Sequence, residues 1–148
     1  MRIIPAIVIV LLIFAAVGIV FDAAAVRYSE EAAVRQTVQY YLYGLKYNDV
    51  ENLKRAFYPE AKLFFVERDN RLGQLTQAQW YEGFAPSAGR EEKGDLRISA
   101  IDITDKAASV KVEEFYENSK YADYLSLLKF NGSWKIVNKI YVVERKAP

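Results

Sequence analysis

The period of apolar and polar positions changes repeatedly along the chain. Ile3 to Phe21 carry no polar side chain at all. Val34, Val38, Tyr41 and Leu45 then recur at helical spacing, which predicts one long amphipathic helix. Ser29 is its expected N-cap, with Glu30 and Glu31 complementing the positive helix end. Asn48-Asp49 breaks the pattern, and Asp49 caps a short helix carrying Val50, Leu53 and Phe57 that Pro59 stops. Leu63 to Glu67 and Leu72 to Leu75 read as strands around the polar turn Arg68 to Arg71. Thr76-Gln77-Ala78-Gln79 has the capping-box pattern and opens a helix with Trp80, Tyr81 and Phe84. Ala85 to Gly94 is a polar loop containing Gly and Pro, a candidate for a mobile rim or lid. From Leu96 onward the period is two. Strands are expected near residues 96–103, 107–117, 120–130 and 134–144, turning at Thr104-Asp105-Lys106, Asn118-Ser119 and Asn131-Gly132. Helices first and a meander of long strands later predict an α+β domain with helices on one sheet face.

The apolar start reads as an address. Met1-Arg2 precedes the run, Asp22 ends it, and Ala23-Ala24-Ala25 supplies the small-residue pattern of a signal-peptidase site. The run exceeds the roughly 7–15 residues of a signal h-region and approaches the roughly 20 that span a bilayer. Residues 1–25 are therefore expected to be a signal peptide or an N-terminal membrane anchor, followed by one domain over 26–148. Membrane association is expected only through residues 3–21, if these stay uncleaved. The domain is expected to be periplasmic or extracellular, or anchored to a membrane.

Composition narrows the chemistry. The 148 residues include no Cys and no His, with 20 Lys+Arg against 19 Asp+Glu and a net charge of +1. Removing residues 1–25 takes away Arg2 and Asp22, so the balance is unchanged. Without Cys there are no disulfides, thiol nucleophiles or thiolate metal sites. Without His there is no imidazole catalysis and no commonest metal ligand. No Gly-rich phosphate loop and no metal-spaced ligand set occurs, so neither cofactor nor metal is expected. Near-neutral charge gives no pull toward nucleic acid. Catalysis, if there is any, falls to carboxylates, Lys, Arg or Tyr.

Two stretches carry a resemblance. Asn48-Asp49-Val50-Glu51-Asn52-Leu53-Lys54-Arg55-Ala56-Phe57-Tyr58-Pro59-Glu60-Ala61 is similar to the helical lead into the first strand of nuclear transport factor 2-like proteins. Tyr121 to Lys129, followed by Asn131-Gly132-Ser133-Trp134-Lys135-Ile136-Val137-Asn138-Lys139, resembles the subgroup of that superfamily named for lumazine binding. The resemblance spans roughly residues 29–145. It implies a cone-shaped α+β fold, in which a strongly curved, mainly antiparallel sheet packs on about three helices. It also implies a small-molecule ligand, an aromatic heterocycle among the candidates, and a homodimer formed through the outer sheet face. Enzymatic relatives include ketosteroid isomerases, dehydratases and polyketide cyclases. Where those use His this chain has none, and fold alone does not establish function.

Strand register locates a candidate site. A two-residue Asn131-Gly132 turn opposes Phe130 to Ser133. It puts Asp123, Leu125, Leu127, Trp134, Ile136, Asn138 and Ile140 on the core face, with Lys135, Val137, Lys139 and Tyr141 outside. A two-residue Asn118-Ser119 turn opposes Tyr116 to Tyr121 and Glu114 to Asp123, with Asn138 within diagonal reach. Opposed carboxylates in a dry cavity cannot both ionise cheaply, so one should keep its proton. Asp123 and Glu114 are thus the candidate catalytic pair if the protein is an enzyme. Asn138, Tyr116, Tyr121, Trp80, Tyr81 and Trp134 are the candidate ligand-binding residues. Tyr41 reads as a packing residue and Lys139 as a solvated or dimer-rim residue. Ala122, Tyr124, Leu128, Val137 and Tyr141 make an outer face apolar enough to need cover.

Three readings remain open on these residues. The chain is a small-ligand-binding domain with a cavity between helices and sheet. Alternatively it is a cofactor-free acid/base enzyme of isomerase or dehydratase type. The third is a non-catalytic dimeric interaction domain whose own aromatics fill the cavity.

Overall fold

The computed structural model describes the backbone of residues 6–145 and the side chains of residues 24–145. The apolar run 3–21, expected to be a signal or anchor, lies outside the residues whose side chains are described. The chain divides into two compact units, residues 1–32 and 33–148. Helix α1 spans Ala6–Lys46. Ser29 does not cap it: its Oγ donates back to the Val26 carbonyl, 2.8 Å away, because residues 23–28 contain no helix breaker.

The larger unit follows the expected order. Asp49 caps α2 (Val50–Ala56), its side chain accepting from the Asn52 amide at 3.1 Å. Strand β1 (Phe57–Val66) starts earlier than expected and takes in Pro59. Its pairing to the last strand shifts between Phe57 and Lys62, so Pro59 sits where no regular ladder bond is required of it. Strand β2 (Leu72–Thr76) leads into α3 (Gln77–Glu82) through the capping box of Thr76 and Gln79. A single 3₁₀ turn, Ala85–Ser87, follows. The strands β3 (Gly94–Thr104), β4 (Ala107–Tyr116), β5 (Ser119–Phe130) and β6 (Ser133–Arg145) complete the chain.

The six strands form one open, curved sheet in the order β2-β1-β6-β5-β4-β3, antiparallel except where β1 lies beside β6. The core lies between the concave face and the helices. Val34, Val38 and Leu45 of α1 and Leu53 of α2 meet Val110, Val112, Leu125, Leu127 and Ile136 of the sheet. Thr37 Oγ1 ties α1 to the sheet by donating to the Trp134 carbonyl at 3.2 Å.

Two turns account for the register. Asn131 and Gly132 take φ of 50° and 76°, the backbone that a two-residue primed turn requires. Phe130 accordingly opposes Ser133. Asn118 is not among the residues with positive φ, so Asn118-Ser119 cannot form such a turn. The last β4–β5 pair is Phe115 with Lys120, two residues out of the expected register. Glu114 therefore faces Tyr121, and Asp123 faces Val112. A two-residue offset preserves side-chain parity, so Glu114 and Asp123 still share the concave face.

The β5–β6 ladder departs further. Leu127 pairs with Ile136 but Ser126 pairs with Asn138, leaving Val137 as a one-residue bulge. Parity reverses beyond a bulge of this kind. Lys139 and Tyr141 consequently turn to the concave face, whereas Asn138 and Ile140 turn outward. Expectation placed all four the other way.

Candidate active site

Four elements deliver one polar cluster. Tyr41 comes from α1, Glu114 and Tyr116 from β4, Asp123 from β5, and Lys139 from β6, with Trp80 of α3 beside them. Asp123 is fully buried, and Glu114 and Lys139 are each 4% exposed. Lys139 Nζ lies 2.8 Å from Asp123 Oδ2 and donates to Tyr41 Oη at 2.5 Å. The Tyr41 hydroxyl donates to Asp123 Oδ2 and lies 3.3 Å from Glu114 Oε1. Tyr116 donates to Glu114 Oε2 at 3.0 Å. Asp123 Oδ1 is buried without a hydrogen-bond partner.

The rings of Tyr41, Trp80 and Tyr141 surround the Lys139 ammonium, with centroids 5.1, 5.4 and 4.9 Å away. Their negative faces favour a cation there. Isolated charges in so dry a place would be prohibitive, and the ammonium–carboxylate pair is what makes the burial tolerable.

Protonation follows from this arrangement. Burial first, and then the charge of Asp123, push the Glu114 carboxyl up to about 8, against an opposing pull from Lys139. Glu114 thus keeps its proton at neutral pH while Asp123 is paired with a cation. Burial, followed by the charges of Asp123 and Glu114, holds the Tyr41 phenol well above its ordinary value. Burial and the adjacent Glu114 do the same for Tyr116. The cluster therefore offers a neutral Glu114 carboxyl as a donor beside the Lys139–Asp123 pair.

A cleft of about 720 Å³ opens onto this cluster, lined by Glu114, Tyr116, Tyr121, Lys139, Tyr141 and Trp80 among others. Glu92 and Lys93 of the Ala85–Gly94 loop form part of its wall. That loop is tied down: Asn48 Nδ2 donates to the Arg90 carbonyl at 2.9 Å and to Glu92 Oε1 at 3.0 Å. Lys46 Nζ reaches the Gly94 carbonyl at 3.0 Å. A larger groove, about 840 Å³, runs between α1, α2 and β3. Its titratable residues are exposed or half-buried, so the smaller cleft is the better site for chemistry that needs shifted protonation.

The candidate residues distribute unevenly. Glu114, Tyr116, Tyr121 and Trp80 line the cleft and Asp123 sits behind it. Asn138 does not join them. The Val137 bulge turns it to the outer face, where it lines a depression of about 310 Å³ with Ser109 and Tyr124. Trp134 lies in the hydrophobic core, 4% exposed. Tyr81 packs against Trp80 at 5.7 Å rather than lining the cleft. Sequence reasoning missed Lys139, Tyr41 and Tyr141. An unpaired Lys reads as solvated, and a Tyr at helical spacing reads as packing. One signal was available for Lys139: a buried Asp123 on a neighbouring strand needs a cation.

Comparison with known proteins places this geometry in a family. The family model described as "Putative lumazine-binding" matches residues 29–142. Aldolase FrzH of a Cladobotryum species is 25% identical over 114 residues, covering 76% of this chain and 90% of the relative. A structure of an NTF2-like protein of unknown function from Shewanella baltica superposes with a TM-score of 0.74 at 26% identity, covering 80% of this chain and 97% of its own. Another, from Silicibacter pomeroyi, has a TM-score of 0.70 at 23% identity, covering 79% and 98%. The α+β cone and the family match agree: the chain belongs to the lumazine-binding family of the nuclear transport factor 2-like superfamily.

Proposed function

We propose that the cleft binds a small, flat carbonyl compound and transfers a proton at it without a cofactor. The observation that carries this reading is the buried Glu114 carboxyl on the cleft wall, bonded by Tyr116, which burial and the neighbouring Asp123 hold up to about 8. The neutral Glu114 carboxyl, which accepts from the Tyr116 phenol, suits donation to a carbonyl oxygen that gains charge as an adjacent C–H proton leaves to the Asp123 carboxylate. Trp80, Tyr121 and Tyr141 supply apolar walls for a planar body. Enolisation of this kind is shared by isomerisation, dehydration and aldol chemistry. The printed name of the Cladobotryum relative, an aldolase, supports the last of these.

The test is proton exchange. Ketones and aldehydes of increasing size are incubated with the protein in D₂O, and loss of α-proton NMR signals is followed. Protein-dependent exchange that Glu114→Gln abolishes, with binding retained, is the expected result. Binding without exchange for every compound bound would leave ligand binding as the function and refute the catalytic reading.

Two further proposals concern context. The apolar outer sheet face, with Tyr124, Ile140 and Val142 about half exposed, is proposed to form a homodimer contact. The run 3–21 and Ala23-Ala24-Ala25 are proposed to export or anchor the domain. The N-terminal mass after expression with an intact secretion pathway, together with fractionation, tests the latter. A full-length chain in the soluble cytoplasmic fraction would contradict it.

A further inference from the structure

A counter-ion for Asp123 could have been walled off in the core, yet Lys139 stands on the cleft wall. Its nitrogen lies 2.8 Å from a carboxylate and 2.5 Å from a phenol oxygen. Three ring faces surround it. We propose that Lys139 condenses with a ketone or aldehyde bound in the cleft to form a covalent imine. The inference rests on the carbonyl-binding reading above and adds a nucleophile to it.

The surroundings fit each stage. An ammonium must lose a proton before it can attack. Asp123 is in contact to take it, with Oδ1 still unpartnered. The free amine then forms a bond to the carbonyl carbon while one nitrogen proton moves to the oxygen. The Glu114 carboxyl protonates the resulting hydroxyl, which leaves as water as the nitrogen lone pair forms the C=N bond. Tyr41, touching both carboxyl groups, returns the proton from Asp123 to Glu114. Ammonium plus carbonyl thus gives protonated imine plus water, with the positive charge conserved at one place. Asp123 and the aromatic faces that accommodate the ammonium accommodate the iminium equally.

The test uses the full chain and a 1,3-diketone, pentane-2,4-dione, which converts a nucleophilic lysine into a stable conjugated enaminone. Intact mass and near-ultraviolet absorbance follow the reaction, and peptide mapping assigns the site in the wild-type protein, where folding is not at issue. Exposed Lys62 and Lys106 serve as internal references. Lys139 is expected to react more than about tenfold faster than either, a barrier difference of about 1.4 kcal/mol. Lys139→Arg is expected to remove the fast phase alone. Reaction at Lys139 no faster than at the references overturns the imine. If α-proton exchange persists in that case, the acid/base reading stands without it. If exchange is absent as well, both fall.

Discussion

Lys139 Nζ and Asp123 Oδ2 meet at 2.8 Å, although the ladder places Lys139 opposite Leu125 and Asp123 opposite Tyr141. The contact is a diagonal across β5 and β6, and it exists because the Val137 bulge reverses the facing of everything after it. Had the regular alternation continued, Asp123 would be buried without its cation.

Removing one partner of this pair should therefore cost far more than removing both. Lys139→Met is expected to destabilise the fold by about 3–5 kcal/mol, because an uncompensated carboxylate remains buried. Asp123→Leu combined with Lys139→Met should recover most of that loss. Urea unfolding of the two single variants and the double variant measures the coupling. Additive losses would show that the two side chains do not depend on each other.

Stability should also carry the signature of Glu114. The folded chain holds this proton up to about 8, whereas the unfolded chain releases it near the ordinary 4.5. The folded state binds more protons between these values, so its advantage is complete below about 4.5 and is lost as pH rises to about 8. Measured against Glu114→Gln, wild-type stability is expected to decline across that window and to run parallel above it. Parallel curves throughout would mean that Glu114 titrates alike in both states.

Gly94 faces Tyr116 across β3 and β4. A methyl group at Gly94 would meet the Tyr116 ring at 2.6 Å, so the ring or the strand must shift at the residue that bonds Glu114. Gly94→Ala is expected to weaken cleft binding and exchange much as Tyr116→Phe does. Asn138→Ala, on the opposite face, should leave both unchanged. A silent Gly94→Ala would argue that the Tyr116 contact with Glu114 does not matter to the site.

The outer sheet face gives an independent prediction. Ile140 is 48% exposed, so Ile140→Asp should change monomer stability by no more than about 0.5 kcal/mol. Light scattering after size exclusion is expected to show a wild-type dimer and a monomeric Ile140→Asp variant. A monomeric wild type at micromolar concentration would remove the dimer proposal.

How far the site could be read from the sequence depended on parity. Period-two alternation and an assumed Asn118-Ser119 turn were enough to put Glu114 and Asp123 on one face, and the two-residue register error at that turn did no harm there. The bulge was invisible because Ile136 and Val137 are both apolar, so either facing satisfies the hydropathy pattern. That single residue decided whether Asn138 or Lys139 entered the cluster. Tyr41 was hidden for a different reason. Its ring packs on Phe57 at 5.6 Å as a core residue would, and only its hydroxyl reaches the carboxylates.

The most direct measurement is the protonation of Glu114 itself. Selective ¹³C labelling of the glutamate carboxyls, assigned by comparison with Glu114→Gln, follows that one group by NMR as pH is changed. The Glu114 resonance is predicted to remain that of a neutral acid at neutral pH and to titrate near 8. Titration near the ordinary 4.5 would contradict the account, because Glu114 would then be ionised at neutral pH and could not donate to a bound carbonyl.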